Sequence, residues 1–411
     1  MENSNLLFNV LHHHSYLFAH LPPLPLYWDR KTGKMHFDLT LKRILLSFLL
    51  LLTIPFGSSV SLYLLLRRLY GVQTFSVAAL ITFLAGVIFS VMGGGIGCCY
   101  FLFGGDYAIG VNAAIDLVKN SENDKKKPSN KRRYRNIKPL LTSTSFIMQI
   151  VLDGYSIFFA VLPPILTAFI LYVGVDPYRF FIRGFLLPDL ASDNAVKIVV
   201  ILCRAVMIYL NVTIAGQVLS LTLILFPGRS INVDVAANKF ISELDQKDVT
   251  LDMDGFSNAL AKYKEIQLTI HILGKPERSI TLILMGTGFW ISVIMNFLTL
   301  RPLIEMPLYL VCPVTALSVP VVTAITVPYS ARIQEKSEQL KILLLKHLAK
   351  SQHRNNLSKH EFKICFKDLK YLRDIKLYAG LGDFRLFGLT AGVTLEYLRA
   401  ILEYTITLLM W

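Results

Sequence analysis

Charge is scarce in this chain. Asp, Glu, Lys and Arg make up 17% of its 411 residues, whereas an average soluble domain has about 25%. Apolar residues account for 54%, and the mean hydropathy is +0.51. These values argue against two or three soluble domains and are typical of a protein that lies in a membrane. No short apolar run near Met1 is followed by a small-residue cleavage site, so we predict no cleavable signal peptide.

The residue patterns of common catalytic and metal sites are also missing. All nine histidines lie outside the long apolar stretches, which excludes an intramembrane zinc hydrolase with His ligands in its helices. His12 to His14 have a metal-binding composition, but we predict that they lie in a flexible tail. Asp252 and Asp254 suggest a calcium loop, yet Tyr263 stands where that loop needs a bidentate carboxylate. We therefore predict no enzymatic activity, no catalytic residues, no metal site and no cofactor.

Seven long apolar stretches dominate the rest of the chain. An α-helix rises about 1.5 Å per residue, so roughly 20 apolar residues cross the ~30 Å hydrocarbon core of a bilayer. Five stretches carry no charge, the fourth carries Arg204, and the seventh carries Glu396, Arg399 and Glu403. We predict seven transmembrane helices, at residues 44–66, 75–103, 155–173, 198–226, 280–300, 308–327 and 386–411.

Positive charge falls on one side of these predicted spans. The amino-terminal segment and the loops after the second, fourth and sixth spans hold 34 of the 42 Lys and Arg residues, and the opposite side holds 6. The positive-inside rule places the N-terminus and the large loops in the cytoplasm and the C-terminus outside. The predicted fold class is therefore all-α: a polytopic plasma-membrane protein with seven transmembrane helices and helical cytoplasmic extensions.

The net charge of +14 has a second interpretation, which is nucleic-acid binding. The excess is spread over every predicted cytoplasmic loop, as topology requires, so we predict no nucleic-acid partner. The basic run at residues 125–135 has the composition of segments that contact anionic membrane lipid.

Seven spans also suggest a G-protein-coupled receptor, but the predicted orientation is opposite to that class. No Asp-Arg-Tyr follows the third span, and no Asn-Pro-x-x-Tyr lies in the seventh. The cysteines offer no extracellular disulfide pair, because they lie in spans or in a cytoplasmic loop. They are Cys98, Cys99, Cys203, Cys312 and Cys365.

The predicted cytoplasmic loops carry helical patterns. Asp254 is a candidate cap for a helix over residues 256–273, and Ser358 with Glu361 forms a capping box. Apolar residues at helical spacing in the last loop require a packing partner, which is either the same chain or another subunit. Before the capping box they are Ile333, Leu340, Leu344 and Leu348, and after it Cys365, Leu369, Leu372 and Ile375.

The predicted organisation has six parts. These are a cytoplasmic segment at 1–43, spans one to four at 44–226 with a basic loop at 104–139, a helical loop at 227–279, spans five and six at 280–328, a helical anchor region at 329–385, and the pore-lining last span at 386–411.

The last span is unusual because it is charged. Glu396, Arg399 and Glu403 are spaced i, i+3 and i+7, so they share one helix face that continues to Thr407 and Met410. Charges within a bilayer are costly and usually face protein or water. Two interpretations stay open: a charge network that holds helices together, or the lining of a water-filled path. Around an axis of several copies, Glu403 would form an acidic ring, which favours cations.

The end of the chain resembles the insect chemoreceptor superfamily, the gustatory and odorant receptors. Gustatory members end their last helix with a Thr-Tyr-x5-Gln-Phe signature. Here Tyr404 and the spacing match, whereas Glu403, Met410 and Trp411 replace the other three residues. The chain is thus similar to a divergent, gustatory-receptor-like member.

Two further segments, residues 378–387 and 21–29, resemble the start of that family's seventh helix and its N-terminal region. The resemblance implies a chemosensory, ligand-gated, non-selective cation channel of four subunits, homo- or hetero-oligomeric, with or without a co-receptor. The seventh helices would line the pore, and the cytoplasmic helices would anchor the subunits to one another. The implied pore-lining residues are Glu403, Thr407, Met410 and Trp411, of which Thr407 departs from the family's apolar gate.

The same resemblance implies a small organic ligand within the outer half of the helix bundle. Aromatic and polar residues at that depth suit such a ligand, and each has an alternative role in packing or as an interfacial anchor. The candidates are Tyr172, Arg204, Trp290, Asn296 and Tyr309.

Two other functions compete with a channel. A secondary transporter would have broken helices, for which Pro163, Pro164, Pro313 and Pro320 are candidates, although we find no internal repeat. The other alternative is a non-conducting seven-helix receptor or scaffold.

Overall fold

In a computed structural model, the described residues fold mostly into long helices. The structure describes residues 6–21, 24–72, 74–123, 138–182, 194–246, 252–301, 309, 311–353 and 357–410. In chain order, the elements are α1 (Leu6–Leu17), β1 (Leu26–Asp29), β2 (Lys34–Phe37), α2 (Leu41–Leu69), α3 (Val77–Asn123), α4 (Lys138–Val173), α5 (Pro177–Phe181), α6 (Asn194–Gln246), α7 (Met253–Leu300), α8 (Val311–His353), α9 (Lys359–Tyr371), β3 (Tyr378–Leu381), β4 (Phe384–Gly388) and α10 (Ala391–Met410).

Most of each predicted span lies on a helix, namely α2, α3, α4, α6, α7, α8 or α10. Among the described residues, five helices are long and apolar enough to cross a membrane: α3, α4, α6, α7 and α8. The chain therefore has the character of a multi-pass membrane protein. The total of seven spans and their orientation stay predictions.

Several helices are much longer than a bilayer is thick. Helix α6 has 53 residues and extends about 80 Å, against about 30 Å of hydrocarbon. Helices α3, α7 and α8 have 47, 48 and 43 residues. The predicted basic loop at 104–139 therefore begins inside α3, and its residues 124–137 lie outside the described part of the chain. These long ends form the helical extensions that the sequence predicts.

The extensions pack against one another around a core of their own. The face predicted on α8 is buried there, and Tyr263 of α7 donates or accepts a hydrogen bond with Ser337 Oγ at 2.8 Å. The core includes Ile333, Leu340, Leu344, Leu348, Cys365 and Leu369. Packing within one chain is thus confirmed for these residues, and packing between subunits stays a hypothesis.

Of the two helix caps predicted from the sequence, one is present in the structure. The capping box is confirmed: Glu361 N donates to Ser358 Oγ at 3.2 Å, and Ser358 N donates to Glu361 Oε2 at 2.7 Å. Hydrogen bonds to the Glu361 carboxyl from the backbone and side chain of Ser358 lower the pKa of that carboxyl. The cap predicted at Asp254 is wrong. Asp252 caps α7 by accepting from Gly255 N at 2.8 Å, because Met253 is already the first helical residue and Asp254 lies within the first turn.

The helix that starts at the capping box is shorter than predicted, because the expected face extended to Ile375. Helix α9 ends at Tyr371, so Leu372 and Ile375 reach the same core from extended chain rather than from a helix face. Strands β3 and β4 follow as an antiparallel hairpin whose turn contains Gly382 at φ 56°. Glycine tolerates this left-handed conformation. The last helix consequently begins at Ala391 rather than at residue 386.

The N-terminal segment is a structured part of the protein. The predicted flexible tail is wrong, because α1 packs on α4 and α6 with Leu7 and Leu11 fully buried. His14 is buried too, and burial lowers its pKa to about 3. His13 Nδ1 lies 3.0 Å from Asp153 Oδ1 of α4. The composition of this segment suggested a tail. Apolar contacts with α4 and α6, which are distant in sequence, hold it in place.

Candidate functional site

Helix α10 packs on α7 and α8 through a single face. Thr394, Ile401 and Thr405 are buried on this face, where their spacing of seven and four residues places them together. The Tyr397 hydroxyl donates a hydrogen bond to Met285 O of α7 at 2.9 Å. A seam of apolar side chains and hydroxyl groups therefore holds α10 to the body of the protein.

A glycine lets three helices meet at this seam. A Cβ at Gly288 of α7 would lie 2.9 Å from Val319 Cγ1 of α8 and 3.1 Å from the Tyr397 hydroxyl of α10. Both distances are shorter than ordinary contacts, so only glycine fits without movement of a neighbour. Small residues allow this kind of close approach between membrane helices.

The opposite face of α10 carries the charged stripe, and it is exposed. Arg399 Nε donates to Glu403 Oε1 at 2.7 Å, and their side chains are 70% and 58% exposed. Glu396 is exposed as well. Because Arg399 pairs with a residue of its own helix, this ion pair does not hold α10 to another helix of the same chain.

The predicted pore-lining residues follow the stripe toward the end of the helix. The Thr407 hydroxyl donates to Glu403 O at 2.9 Å, so this polar group is partly satisfied by the helix itself. Met410 is 75% exposed. Trp411 lies outside the described residues. The stripe therefore faces away from the protein body along the length of α10.

The C-terminal end of α10 is held by Arg301, which directly follows α7. Arg301 Nη2 donates to Leu409 O at 2.7 Å. This carbonyl is one of the last four of the helix, which have no partner within it. A cation at a helix C-terminus also interacts favourably with the helix dipole. The end of α10 is thus tied to the end of α7.

Among the ligand-pocket candidates, Trp290 lies beside α10. Its ring centroid is 5.4 Å from that of Phe289 and 6.5 Å from that of Tyr404, and Phe289 is 5.3 Å from Tyr404. Trp290 is nevertheless 52% exposed. It lies at the edge of the α7–α10 contact rather than in an enclosed cavity.

Arg204, another candidate, pairs with a buried carboxylate. Its Nη2 binds Asp176 Oδ2, and its Nε donates to Asp176 Oδ1 at 3.2 Å. Asp176 is fully buried and also caps α5 by accepting from Arg179 N at 2.7 Å. Arg204 therefore fastens the connection after α4 to helix α6.

A second polar contact lies in the same region. Asn211 Nδ2 of α6 donates to the Tyr178 hydroxyl of α5 at 2.6 Å. Gly57 of α2 lies against both, because a Cβ there would be 2.5 Å from Asn211 Nδ2 and 2.8 Å from the Tyr178 oxygen. Helices α2, α5 and α6 thus meet at this hydrogen bond.

The remaining candidates are dispersed. Tyr172 is 89% exposed, Asn296 is half-buried, and the Tyr309 hydroxyl donates to Thr299 O at 2.8 Å. The structure does not gather the five candidates into one pocket, and their contact with a ligand stays a prediction. Between α3 and α7 lies an apolar cavity of about 10 Å³ that Met295 helps to line, which is about the size of one water molecule.

Sequence reasoning missed Asp176, Tyr178 and Arg301. A signal for the first was present, because Asp176 directly precedes Pro177 and Asp-Pro is a helix-start pattern. No local pattern indicates that Arg301 reaches a carbonyl at position 409.

Comparisons with known proteins find a likeness at the level of structure. No protein-family model matches the chain, and no curated protein matches it in sequence. Two solved structures of the insect olfactory receptor OR5 from Machilis hrabei do match, one of them in complex with eugenol. They have TM-scores of 0.61 and 0.62 at 13% sequence identity, and the match covers 98% of this chain and 96% of the receptor. From near its first residue to near its last, this chain has the fold of an insect olfactory receptor.

Proposed function

We propose that this chain is a divergent member of the insect chemoreceptor superfamily and acts as a ligand-gated, non-selective cation channel of the plasma membrane. Its subunits form a tetramer, with a central pore lined by α10. A small organic ligand that binds in the outer half of the helix bundle opens it. The fold shared with an olfactory receptor, over nearly the whole of both chains, supports the family assignment.

The exposed charged stripe on α10 is the observation that carries the channel proposal. Glu396, Arg399 and Glu403 point away from the protein body in one subunit. Charged side chains that faced lipid along a spanning helix would be costly, by about 2.5–3.5 kcal/mol each at the bilayer centre even on the lowest scale. A water-filled axis surrounded by copies of α10 removes this cost and accounts for the stripe.

Two observations support a small organic ligand. The related receptor structure is a complex with eugenol, which is a small aromatic molecule. In this chain, the small cavity between α3 and α7 is apolar and is lined in part by Met295, the sequence neighbour of the ligand candidate Asn296. A ligand would have to enlarge this cavity, because organic ligands occupy pockets of about 300–1,000 Å³.

The transporter alternative receives less support from the helices. Helix α4 continues through Pro163 and Pro164, and α8 continues through Pro320. Discontinuous helices are the usual mark of a transporter's binding site.

Whole-cell patch-clamp recording tests the proposal. Cells that express the chain, alone or with a candidate co-receptor, are exposed to a broad panel of small organic molecules. We expect ligand-dependent cation currents, together with four subunits per complex by single-molecule subunit counting. Complexes of one or two subunits at the cell surface, without current for any ligand, would contradict the channel.

A topology measurement on intact cells accompanies this recording. A tag after the last residue should be accessible to antibody, and a tag before the first residue should not. The reverse staining would overturn the predicted orientation and the family assignment with it.

A further inference from the structure

A cavity of about 460 Å³ lies among the helical extensions, far from the outer half of the bundle. It is bounded by α7, by the connection between α9 and β3, and by the β3–β4 hairpin. Five cationic side chains line it, and they come from all three of these segments. They are Lys264, Arg278, Arg373, Lys376 and Arg385.

The lining carboxylates do not neutralise this charge, because both are already paired with other cations. Glu277 Oε2 lies 2.5 Å from Arg229 Nη2. Asp374 Oδ1 lies 2.5 Å from Lys341 Nζ. The lining of the cavity therefore carries more positive than negative charge.

Arg278 is the most informative of the five cations. It is only 9% exposed, and a guanidinium has five N–H donors. Among the described residues, its guanidinium makes one long hydrogen bond, from Nη1 to Gly382 O at 3.5 Å. It also lies close enough to Arg385 for the two charges to repel each other. Nearby Asp383 offsets this repulsion only in part, since it binds Lys275 Nζ at 3.1 Å. A nearly buried guanidinium with spare donors, beside a second one, is suited to an anion that bridges them.

The position of the cavity narrows the class of anion. Thr281 lines it and lies one residue inside the predicted span that starts at 280. The cavity thus reaches the level of the lipid headgroups on the predicted cytoplasmic face. Its volume suits a compact small molecule and not a nucleic acid or a protein.

We propose that this cavity binds a phosphorylated inositol group, with Arg278, Arg373, Lys376 and Arg385 contacting its phosphates. The group reaches the cavity either as a membrane phosphoinositide or as a soluble inositol phosphate. Basic pockets on the cytoplasmic side of membrane helices have this chemistry. A bound phosphate cluster would join α7 to the hairpin that leads directly into α10. This site is independent of whether the chain conducts ions.

Binding to the purified full-length protein tests the site with two probes. Soluble inositol hexakisphosphate is measured by its shift of the thermal unfolding midpoint. Phosphatidylinositol bisphosphate is measured by native mass spectrometry against phosphatidylserine as the reference lipid. We expect saturable binding of at least one probe, and the one that binds identifies the source. Wild-type protein that binds neither probe overturns the proposal.

Two matched variants separate the cavity from general electrostatics. The cavity variant carries Arg373→Gln, Lys376→Gln and Arg385→Gln, all at exposed positions. The control removes the same charge from exposed positions of α9, through Lys359→Gln, Lys363→Gln and Lys367→Gln.

We expect the cavity variant to bind about tenfold more weakly or worse, because it loses charge-assisted hydrogen bonds, and the control to bind like wild type. Equal weakening in both variants overturns the site. If the cavity variant does not fold, as judged by size-exclusion chromatography, the single change Lys376→Glu provides the same comparison with Lys363→Glu.

Discussion

Arg229 on α6 and Glu277 on α7 form an ion pair in the interior of the protein, with 2.5 Å between Nη2 and Oε2. Their side chains are 1% and 5% exposed. The pair joins the two helices just beyond the ends of the predicted fourth and fifth spans, where each helix continues into its extension. The two helices are thus linked where the predicted spans continue into the helical extensions.

Loss of either member of this pair should destabilise the protein strongly. Arg229→Met leaves the Glu277 carboxylate buried without its partner, which typically costs about 3–5 kcal/mol. The double variant Arg229→Met, Glu277→Leu should recover much of this loss, because no uncompensated charge is left. The measurement is thermal unfolding of the detergent-purified protein. The exposed pair Lys275–Asp383 provides the control, since Lys275→Met should change the unfolding midpoint little. An Arg229→Met protein as stable as wild type would show that the pair is dispensable.

The contact between α7, α8 and α10 predicts a sharp difference between two neighbouring glycines. Gly288→Val should force α10 away from α7, because the added atoms meet Val319 and Tyr397, and overpacking of this kind costs about 1–3 kcal/mol. Gly286→Val is the matched control on the same helix, where a Cβ meets nothing within 4 Å. Thermal unfolding and surface expression should fall for the first variant and not for the second. Equal behaviour of the two variants would mean that α10 does not pack at Gly288.

The five long apolar helices could be predicted from the sequence because their cause is local. A stretch that crosses a bilayer must be apolar over about 20 consecutive residues, and that requirement is visible in composition alone. The capping box of Ser358 and Glu361 was predictable for the same reason, since both partners lie within four residues. The charged face of α10 followed from helical spacing.

Contacts distant in sequence could not be predicted in this way. Periodicity identifies the face that Arg204 occupies, but not that Asp176, 28 residues earlier, is its partner. The start of α10 was misplaced because residues 386–388 lack charge and so appear to extend the span, whereas Phe387 and Gly388 pair with β3. The basic cavity combines α7 with residues more than 90 positions further along the chain, so no local pattern indicates it.

The charged stripe on α10 predicts a change in ion permeation rather than in folding. Glu403 is 58% exposed at its side chain, so Glu403→Gln should leave expression and unfolding nearly unchanged. If four copies form an acidic ring, the change should weaken the preference for cations and the block by divalent cations, by several-fold or more in inhibitory concentration. Reversal potentials in exchanged salt solutions measure this directly. Glu335→Gln, at an exposed position of the α8 extension, is the control for a general effect of charge. Unchanged permeation in Glu403→Gln would show that this residue does not line the pore. The proposal that the chain forms a channel would then depend on variants of the other residues of α10.

The buried histidine of α1 predicts that the N-terminal segment loosens in acid. Burial lowers the pKa of His14 from 6.5 to about 3, so between these pH values the unfolded segment binds a proton that the folded one excludes. Stability therefore falls as the pH drops below about 6.5, by at most about 1.4 kcal/mol per pH unit. His14→Phe keeps an aromatic ring against Phe18, which lies 4.6 Å away between centroids, and should abolish this dependence. Hydrogen exchange of α1 at pH 7 and pH 5 is the measurement, after correction for the intrinsic exchange rates.

His12→Gln, at an exposed position of the same helix, is the control and should behave like wild type. If wild-type and His14→Phe proteins lose protection equally on acidification, another group controls the docking of α1, and His13 beside Asp153 is the first to examine.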